Sequence, residues 1–379
     1  MKIGLDIRCL MDEHYSGVSK YAANLLSAIL EQDQENEYYL FYNSWRDLSA
    51  RLAVWQRPNA KVIGSHYPNK IFNYFLQKLF GRPRVDKILG GVDIFFSPHF
   101  NFTSLSSGVR KIITVHDLSF LRYPQFFSGR QNFWHYALGV KRALRKADQI
   151  VAVSENTKND IIELVGVAPE KISVIYSGNN LFPPAVSAPV ISQFLEAKNI
   201  PGRFILYLGT IEPRKNISGL IQAFNQLKAK DQFIDLKLVL AGAEGWKNKS
   251  IYKEREASFY KKDIIFLGYI SEQETEILYS RAQAFVYPSY YEGFGFPPLE
   301  AMAHDLPVVC SNVSSLPEVV GEAAILINPF KPEEITSALE IILTDEKARQ
   351  DLIEKGRERA KMFSWNKAAQ EYLKLFKEL

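Results

Sequence analysis

Two α/β domains, each a doubly wound parallel sheet, are the architecture this sequence predicts, and three observations predict it. Short apolar runs alternate with segments of helical period, a pattern that calls for parallel strands joined by crossover helices. The alternation occurs twice, before and after a Pro- and Ala-rich stretch at residues 182–189. The chain has 379 residues, more than one hydrophobic core ordinarily serves. The expected division is a first domain over residues 1–182, a linker over 183–200, a second domain over 201–362 and an amphipathic helix over 363–379.

Composition narrows the class. With 47% hydrophobic and 23% charged residues the chain reads as globular. No apolar run reaches the length of a membrane span. The start, Met-Lys-Ile-Gly-Leu-Asp, has the pattern of a first strand rather than of a signal peptide, so a cytoplasmic location is expected. Cys9 and Cys310 lack the spacing of a metal or redox motif and are expected as buried free thiols. Residues 1–182 carry 22 Lys and Arg against 16 Asp and Glu, and residues 183–379 carry 24 against 26. An excess of that size does not argue for nucleic acid, but it favours an anionic acceptor or a membrane surface near the first half.

Taken in order, the run Ile3 to Ile7 reads as a buried strand, and Val18, Tyr21, Ala22, Leu25, Leu26 and Ile29 follow at helical spacing. Ser16-Gly17 immediately precedes that helix, so its free N–H groups suit either an anion or a plain turn. No G-x-G-x-x-G occurs here, which weakens a dinucleotide-cofactor reading. Residues 36–42 and 61–63 are further strands. Residues 70–87 mix Phe72, Phe75, Leu76, Leu79 and Phe80 with Lys70, Lys78, Arg82, Arg84 and Lys87. That segment is either a helix packed on the core with a solvated basic face or a basic amphipathic helix on a membrane surface, and the first is favoured.

Residues 93–96 and 111–115 are strands, the second ending in His116-Asp117, where open α/β sheets bind ligands, although a satisfied structural histidine fits His116 equally well. Residues 149–153 form another, with Ser154 as N-cap of a helix over 155–165. Residues 171–176 complete the first sheet. In the second half, residues 204–208 run into Gly209, then Glu212-Pro-Arg-Lys-Asn216 and a helix bearing Ile217, Leu220, Ile221, Phe224 and Leu227. Arg214 and Lys215 at a helix amino terminus suit a diphosphate, with a solvated charged turn as the less favoured alternative. Five more strands are expected at 237–242, 264–268, 284–287, 307–310 and 325–327, with Ser271 and Glu274 as a capping box. Trp365, Ala368, Ala369, Tyr372, Leu373 and Phe376 give the last helix its apolar stripe.

The stretch Glu-Gly-Phe-Gly-Phe-Pro-Pro-Leu-Glu at residues 292–300 is organised as a site. Gly293 and Gly295 permit close backbone approach, Pro297 or Pro298 opens a helix, and Glu300 is placed in its first turn. Two carboxylates, one on a loop and one on a helix, suit two hydroxyl-bearing groups of one extended ligand. A surface loop before an ordinary helix is the alternative for this stretch taken alone.

With residues 292–300, Arg214-Lys215, His116-Asp117, Ser154-Glu155 and the Gly17 loop in this order, the sequence resembles the family-4 retaining glycosyltransferases (glycosyltransferase group 1) of the GT-B fold. The runs Gly-Thr-x-Glu-Pro-Arg-Lys-Asn and Pro-Ser-x-Tyr-Glu-Gly-Phe-Gly-Phe-Pro-Pro-Leu-Glu-Ala-Met-Ala carry the likeness, which is greatest to bacterial mannosyltransferases that build surface polysaccharides. The resemblance implies two Rossmann-like domains facing across a cleft, with the C-terminal helix crossing back onto the first. It implies that the second domain binds a nucleotide-sugar donor. Glu292 would accept from donor-sugar hydroxyls beside the N–H groups of Phe294, Gly295 and Phe296; Glu300 would hold the ribose, the backbone near Tyr269 and Ile270 would meet the base, and Gly209 and Leu299 would also contact the donor. Arg214 and Lys215 would neutralise the leaving diphosphate without a metal ion, since no Asp-x-Asp motif is apparent. His116, Ser154 and Gly17 would reach the donor from the first domain.

Two positions depart from the commonest family pattern: a single glycine in Ser16-Gly17-Val18, and His304-Asp305 in place of Cys-Gly. The implied activity is transfer of a hexose to a glycan or lipid-linked glycan acceptor, with no resident cofactor and peripheral membrane contact through the basic first domain. A nucleotide-sugar epimerase on the same fold and a non-catalytic sugar-binding protein are the competing classes. An acceptor-free epimerisation assay separates the first, and donor binding without turnover the second.

Overall fold

The structure is a computed structural model, and it describes residues 1–12, 16–179, 186–200 and 202–379. The predicted boundary at residues 182–185, with Asn180, Leu181 and Pro201, lies outside the described residues.

Thirteen described strands fall on the thirteen apolar runs. In the first unit these are β1 (Lys2–Asp6), β2 (Glu37–Asn43), β3 (Ala60–Ser65), β4 (Ile94–Ser97), β5 (Arg110–Val115), β6 (Gln149–Ala152) and β7 (Ile172–Val174). They form one sheet in the order β3-β2-β1-β4-β5-β6-β7, every pairing parallel. The second unit holds β8 (Phe204–Leu208), β9 (Lys237–Ala241), β10 (Ile264–Gly268), β11 (Ala284–Tyr287), β12 (Val308–Ser311) and β13 (Ala324–Ile327). Their order is β10-β9-β8-β11-β12-β13, again parallel throughout. Both sheets are therefore doubly wound, as the alternating pattern predicts.

The strands at the centre read as continuous apolar runs because both faces are covered. Phe204, Ile205, Leu206 and Tyr207 of β8 are each at most 1% exposed. Burying side chains of this size contributes about 1.5–3 kcal/mol apiece, before the cost of ordering them. The helix Ile217–Lys228 packs against the helix Pro332–Thr344 and buries Ile217, Leu220, Ile221, Phe224 and Leu227 fully. Ser154 caps the helix Glu155–Val165 by accepting from Thr157 N–H, and Ser271 with Glu274 forms the expected capping box of Glu272–Arg281.

Contacts group the chain as residues 1–118, 133–178 and 364–379 in one unit, and 119–132 with 179–363 in the other. Residues 119–132 thus pack with the second sheet, although their chain position puts them in the first half. The reason is aromatic: Phe126 stacks on Tyr290 with centroids 5.7 Å apart, and Trp246 Nε1 donates to the Phe126 carbonyl at 2.7 Å. The C-terminal helix Trp365–Glu378 packs in the first unit against Gly17–Gln32. Its buried stripe is Ala368, Ala369, Tyr372, Leu375 and Phe376, so Leu375 takes the place the spacing assigned to Leu373. The linker region is itself partly helical, over Ala188–Ala197.

Residues 70–87 do not form one helix. Ile71–Phe80 is a π-type helix that ends at Gly81 in the left-handed region, and a separate turn of helix covers Val85–Ile88. Of the two cysteines, Cys310 is buried but Cys9 only half-buried.

Candidate functional site

In the second sheet β8 and β11 are neighbours, and the chain winds outward from them in opposite directions. The loops leaving their carboxyl ends diverge, which opens the crevice where sheets of this kind bind ligands. Arg214 and Lys215 lie on the first of these loops and Glu292 on the second. Two glycines shape the floor. Gly209 has φ +154°, and a Cβ on Gly242 would stand 2.0 Å from the Gly209 carbonyl oxygen. Pro213–Lys215 is a tight 3₁₀ turn, ended by Asn216 at φ 54° before the helix Ile217–Lys228 begins. The two cations therefore precede the helix by one turn rather than occupying its first residues.

The geometry joins all three residues. Lys215 Nζ donates to Glu292 Oε1 and to the Tyr287 hydroxyl, each at 2.6 Å. One Arg214 nitrogen donates to Glu292 Oε2 at 3.1 Å and to the Tyr291 carbonyl at 2.6 Å; the other reaches Glu212 Oε1 at 2.7 Å. Glu292 and Lys215 are each 7% exposed and Glu212 1%. Burial by itself would raise the Glu292 pKa, but Arg214 and Lys215 outweigh it and hold the carboxyl at about 2. For Glu212 the balance is reversed: burial prevails over Arg214 and Lys215 and lifts its pKa above the ordinary value.

Each cation is thus already paired with a carboxylate, where sequence reasoning had pictured both facing a diphosphate. An ammonium has three donors, and two of Lys215's go to Glu292 and Tyr287, which leaves one for an incoming oxyanion. Ser315 fixes the loop from below: its buried hydroxyl lies 3.0 Å from the Glu292 carbonyl and 2.8 Å from that of Phe294. Ser314 Oγ accepts from Glu292 N–H at 3.0 Å.

The helix after the loop is Phe296–Ala303, entered through Gly295 at φ 115° with prolines at its second and third positions. Glu300 is its fifth residue, just past the first turn in which the sequence reading placed it, because the helix starts at Phe296 rather than at a proline. Its carboxylate accepts from the Tyr279 hydroxyl at 3.0 Å. His304 accounts for one departure from the family pattern, since its Nδ1 meets the Glu300 carbonyl at 2.7 Å and its Nε2 meets Glu276 at 2.5 Å. That imidazole ties the Glu300 helix to Glu272–Arg281. Phe294 is buried and Phe296 half-buried. Leu299 is fully buried, and its carbonyl accepts from Asn179 Nδ2 at 3.0 Å. Tyr269 and Ile270 follow β10, the first 61% exposed and the second buried.

In the first unit, Gly17 is the first residue of the helix Gly17–Gln32, capped by Ser16; residues 13–15 of that loop lie outside the described residues. His116 and Ser154 leave the carboxyl ends of β5 and β6, which are neighbours with Val115 opposite Ala152. His116 Nε2 lies 2.7 Å from the Pro98 carbonyl, so that nitrogen carries the proton. Burial lowers its pKa to about 4 against the opposing pull of that carbonyl, and the Tyr21 ring meets it edge-on at 4.6 Å. Ser154 is fully buried.

Sequence reasoning did not single out Glu212, Tyr287, Ser315 or Tyr279. Glu212 lies inside the Glu-Pro-Arg-Lys run and was legible there. The others come from distant segments and carry no local signal. Among the described residues no group of three or more His, Cys, Asp or Glu side chains could hold a metal ion. None of the described helices is long and apolar enough to cross a membrane.

Comparison with known proteins sets this geometry in context. Residues 192–359 match the family profile "Glycosyl transferases group 1", and residues 15–181 match "Glycosyltransferase Family 4". The O-antigen chain mannosyltransferase B of Escherichia coli is 34% identical over 274 residues, covering 71% of each chain. The serotype-specific mannosyltransferase WbdA of the same organism is 31% identical over 263 residues, 69% of this chain and 32% of that protein. This chain thus corresponds to about a third of WbdA. Among solved structures, Anabaena HepE in complex with UDP-glucose superposes with a TM-score of 0.75 at 17% identity, covering 100% of both chains.

Proposed function

This chain belongs to the family-4, group-1 glycosyltransferases of the GT-B fold, and we propose that it moves a hexose from a nucleotide-diphosphate sugar to a glycan or lipid-linked glycan hydroxyl in surface polysaccharide synthesis, with retention of anomeric configuration. The observation that carries this reading is the convergence of Arg214 and Lys215 on Glu292 at the point where the second sheet reverses direction. Mannose as the sugar is supported by the E. coli O-antigen mannosyltransferase, 34% identical.

In the proposed reaction the bond from the sugar's anomeric carbon to the diphosphate breaks as a bond to the acceptor oxygen forms on the same face. The acceptor's proton passes to the leaving phosphate oxygen. Charge builds on the diphosphate as it departs, and Lys215 and Arg214 stabilise it in place of a metal ion. They are held in position beforehand, so their donors need no reorganisation at the moment of reaction. Glu292, ionised at neutral pH, both positions those cations and accepts from donor-sugar hydroxyls. Glu300, oriented by Tyr279, binds the ribose.

The test is a thermal-shift panel of GDP, UDP, ADP and their hexose conjugates, followed by transfer to an acceptor glycan with the product linkage read by NMR. A ligand at about 1,000 times its Kd stabilises by roughly 4 kcal/mol, which is readily seen. GDP standing out supports a mannosyl donor and UDP a glucosyl, galactosyl or N-acetylhexosaminyl one. An epimerised donor in the acceptor-free reaction, or an inverted linkage in the product, overturns the reading.

A further inference from the structure

A polar pocket is built into the first unit where an apolar one is expected. The parallel register sets Ser97 of β4 opposite Ile113 of β5 and Phe95 opposite Lys111, so Ser97, Lys111 and Ile113 share one face of the sheet. Strands inside a parallel sheet ordinarily offer apolar side chains on both faces. Here Ser97 and Lys111 line a small cavity together with His99, and Leu138, Val140 and Ala143 supply its apolar wall.

The three polar groups are all donors. Phe102 N–H donates to Asn101 Oδ1 at 2.9 Å, which turns the amide nitrogen towards His99 Nε2, 3.5 Å away. Facing a donor, Nε2 is the acceptor of that ring and Nδ1 carries the proton. Burial holds the His99 pKa below its ordinary value, so the ring is neutral at pH 7. Ser97 is 2% exposed, and among the described residues neither its hydroxyl nor His99 Nδ1 meets a hydrogen-bond partner. Lys111 is half-buried. Burial lowers its pKa to about 8, which leaves it charged at pH 7. Asp6 acts on that charge, but its carboxylate already accepts three hydrogen bonds from Arg8, at 3.1, 2.8 and 2.6 Å. Asp6 and Arg8 offset one another, and the Lys111 charge is left over.

Size decides the ligand. The cavity measures about 10 Å³, room for a single water-sized sphere. Phosphate, sulfate and carboxylates are too large for it, and a single-atom anion is not. A water molecule there would meet donors on three sides and find few acceptors for its own hydrogens, whereas a halide accepts from all three. We propose that this cavity binds chloride, held by the Ser97 hydroxyl, His99 Nδ1–H and the Lys111 ammonium. Ser97 and His99 flank Pro98, whose carbonyl accepts from His116 Nε2 at 2.7 Å, so the anion also ties down the turn that orients His116. Every residue of the site belongs to the first unit, and the inference stands whether or not the proposed transfer reaction does.

Melting temperatures of the full chain in sodium chloride and in sodium gluconate at equal ionic strength test this, because gluconate is too large for the cavity. Replacing about 200 mM gluconate by chloride should raise the melting temperature by about 2 °C, and the rise should saturate. Bromide should substitute for chloride, and crystals grown with bromide should show an anomalous peak within hydrogen-bond distance of Ser97 Oγ, His99 Nδ1 and Lys111 Nζ. Lys111→Met should abolish the halide-dependent rise, and Ser97→Ala should weaken the apparent halide affinity about tenfold; each variant's melting temperature in gluconate is its own reference. Equal wild-type melting temperatures in the two salts, or bromide peaks on the surface alone, overturn the proposal and give the cavity to water. A Lys111→Met protein with the wild-type halide dependence overturns it as well.

Discussion

Lys215 Nζ stands 2.6 Å from Glu292 Oε1 although 77 residues separate the two in the chain. The contact joins the loops that leave adjacent strands of one sheet. Lys215→Ala should lower kcat by about 10²–10³, the usual consequence of removing one preorganised donor from a developing anion. Arg214 still pairs with Glu292 in that variant, so the protein should remain folded. Steady-state kinetics with a matched circular dichroism spectrum checks this, and turnover at the wild-type rate removes Lys215 from the mechanism.

Acid should expose the same pairing. The Glu292 pKa falls from 4.5 to about 2 on folding, so the unfolded chain binds the proton more readily. The stabilisation is present in full above about pH 4.5 and is lost as pH falls towards 2, with a limit on the order of 3 kcal/mol. Urea midpoints measured from pH 6 to pH 2.5 should fall more steeply for the wild type than for Glu292→Gln. Parallel curves would mean that the carboxylate is not paired in solution.

His116 should act in a higher window. Its pKa drops from 6.5 to about 4 on folding, so folding favours the neutral ring and this contribution is lost as pH falls from 6.5 to 4. Replacing it, as in His116→Asn, should flatten the stability profile over that interval only. The wild-type ring should show no titration between pH 5 and 8 by NMR; a midpoint near 6.5 would contradict a buried neutral imidazole.

Ser315 offers a test of loop support. Its fully buried hydroxyl serves the carbonyls of both Glu292 and Phe294. Ser315→Ala leaves those acceptors short of a partner, at about 1–3 kcal/mol. The melting temperature should fall, and KM for the donor should rise more than kcat falls, because the loop is displaced rather than stripped of a reacting group. A variant with wild-type KM would show that the loop holds its shape without this hydroxyl.

What the sequence determined by itself was the order and kind of elements. All thirteen strands were legible because each is a short apolar run whose neighbours are helical in period, and burial on two faces leaves no other solution. Arg214, Lys215 and Glu292 were legible as site candidates because each belongs to a contiguous run of Gly, Pro and charged residues. Only the tertiary structure decided what those groups meet. That Lys215 pairs with Glu292, that Ser315 supports the loop and that Tyr279 orients Glu300 follow from strand order, which brings segments 20 or more residues apart within hydrogen-bond range and leaves no periodic trace in the chain. The allegiance of residues 119–132 was decided in the same way. An aromatic ring has the same sequence whether it is covered or not, and which face is covered depends on partners such as Trp246 and Tyr290 that lie far along the chain.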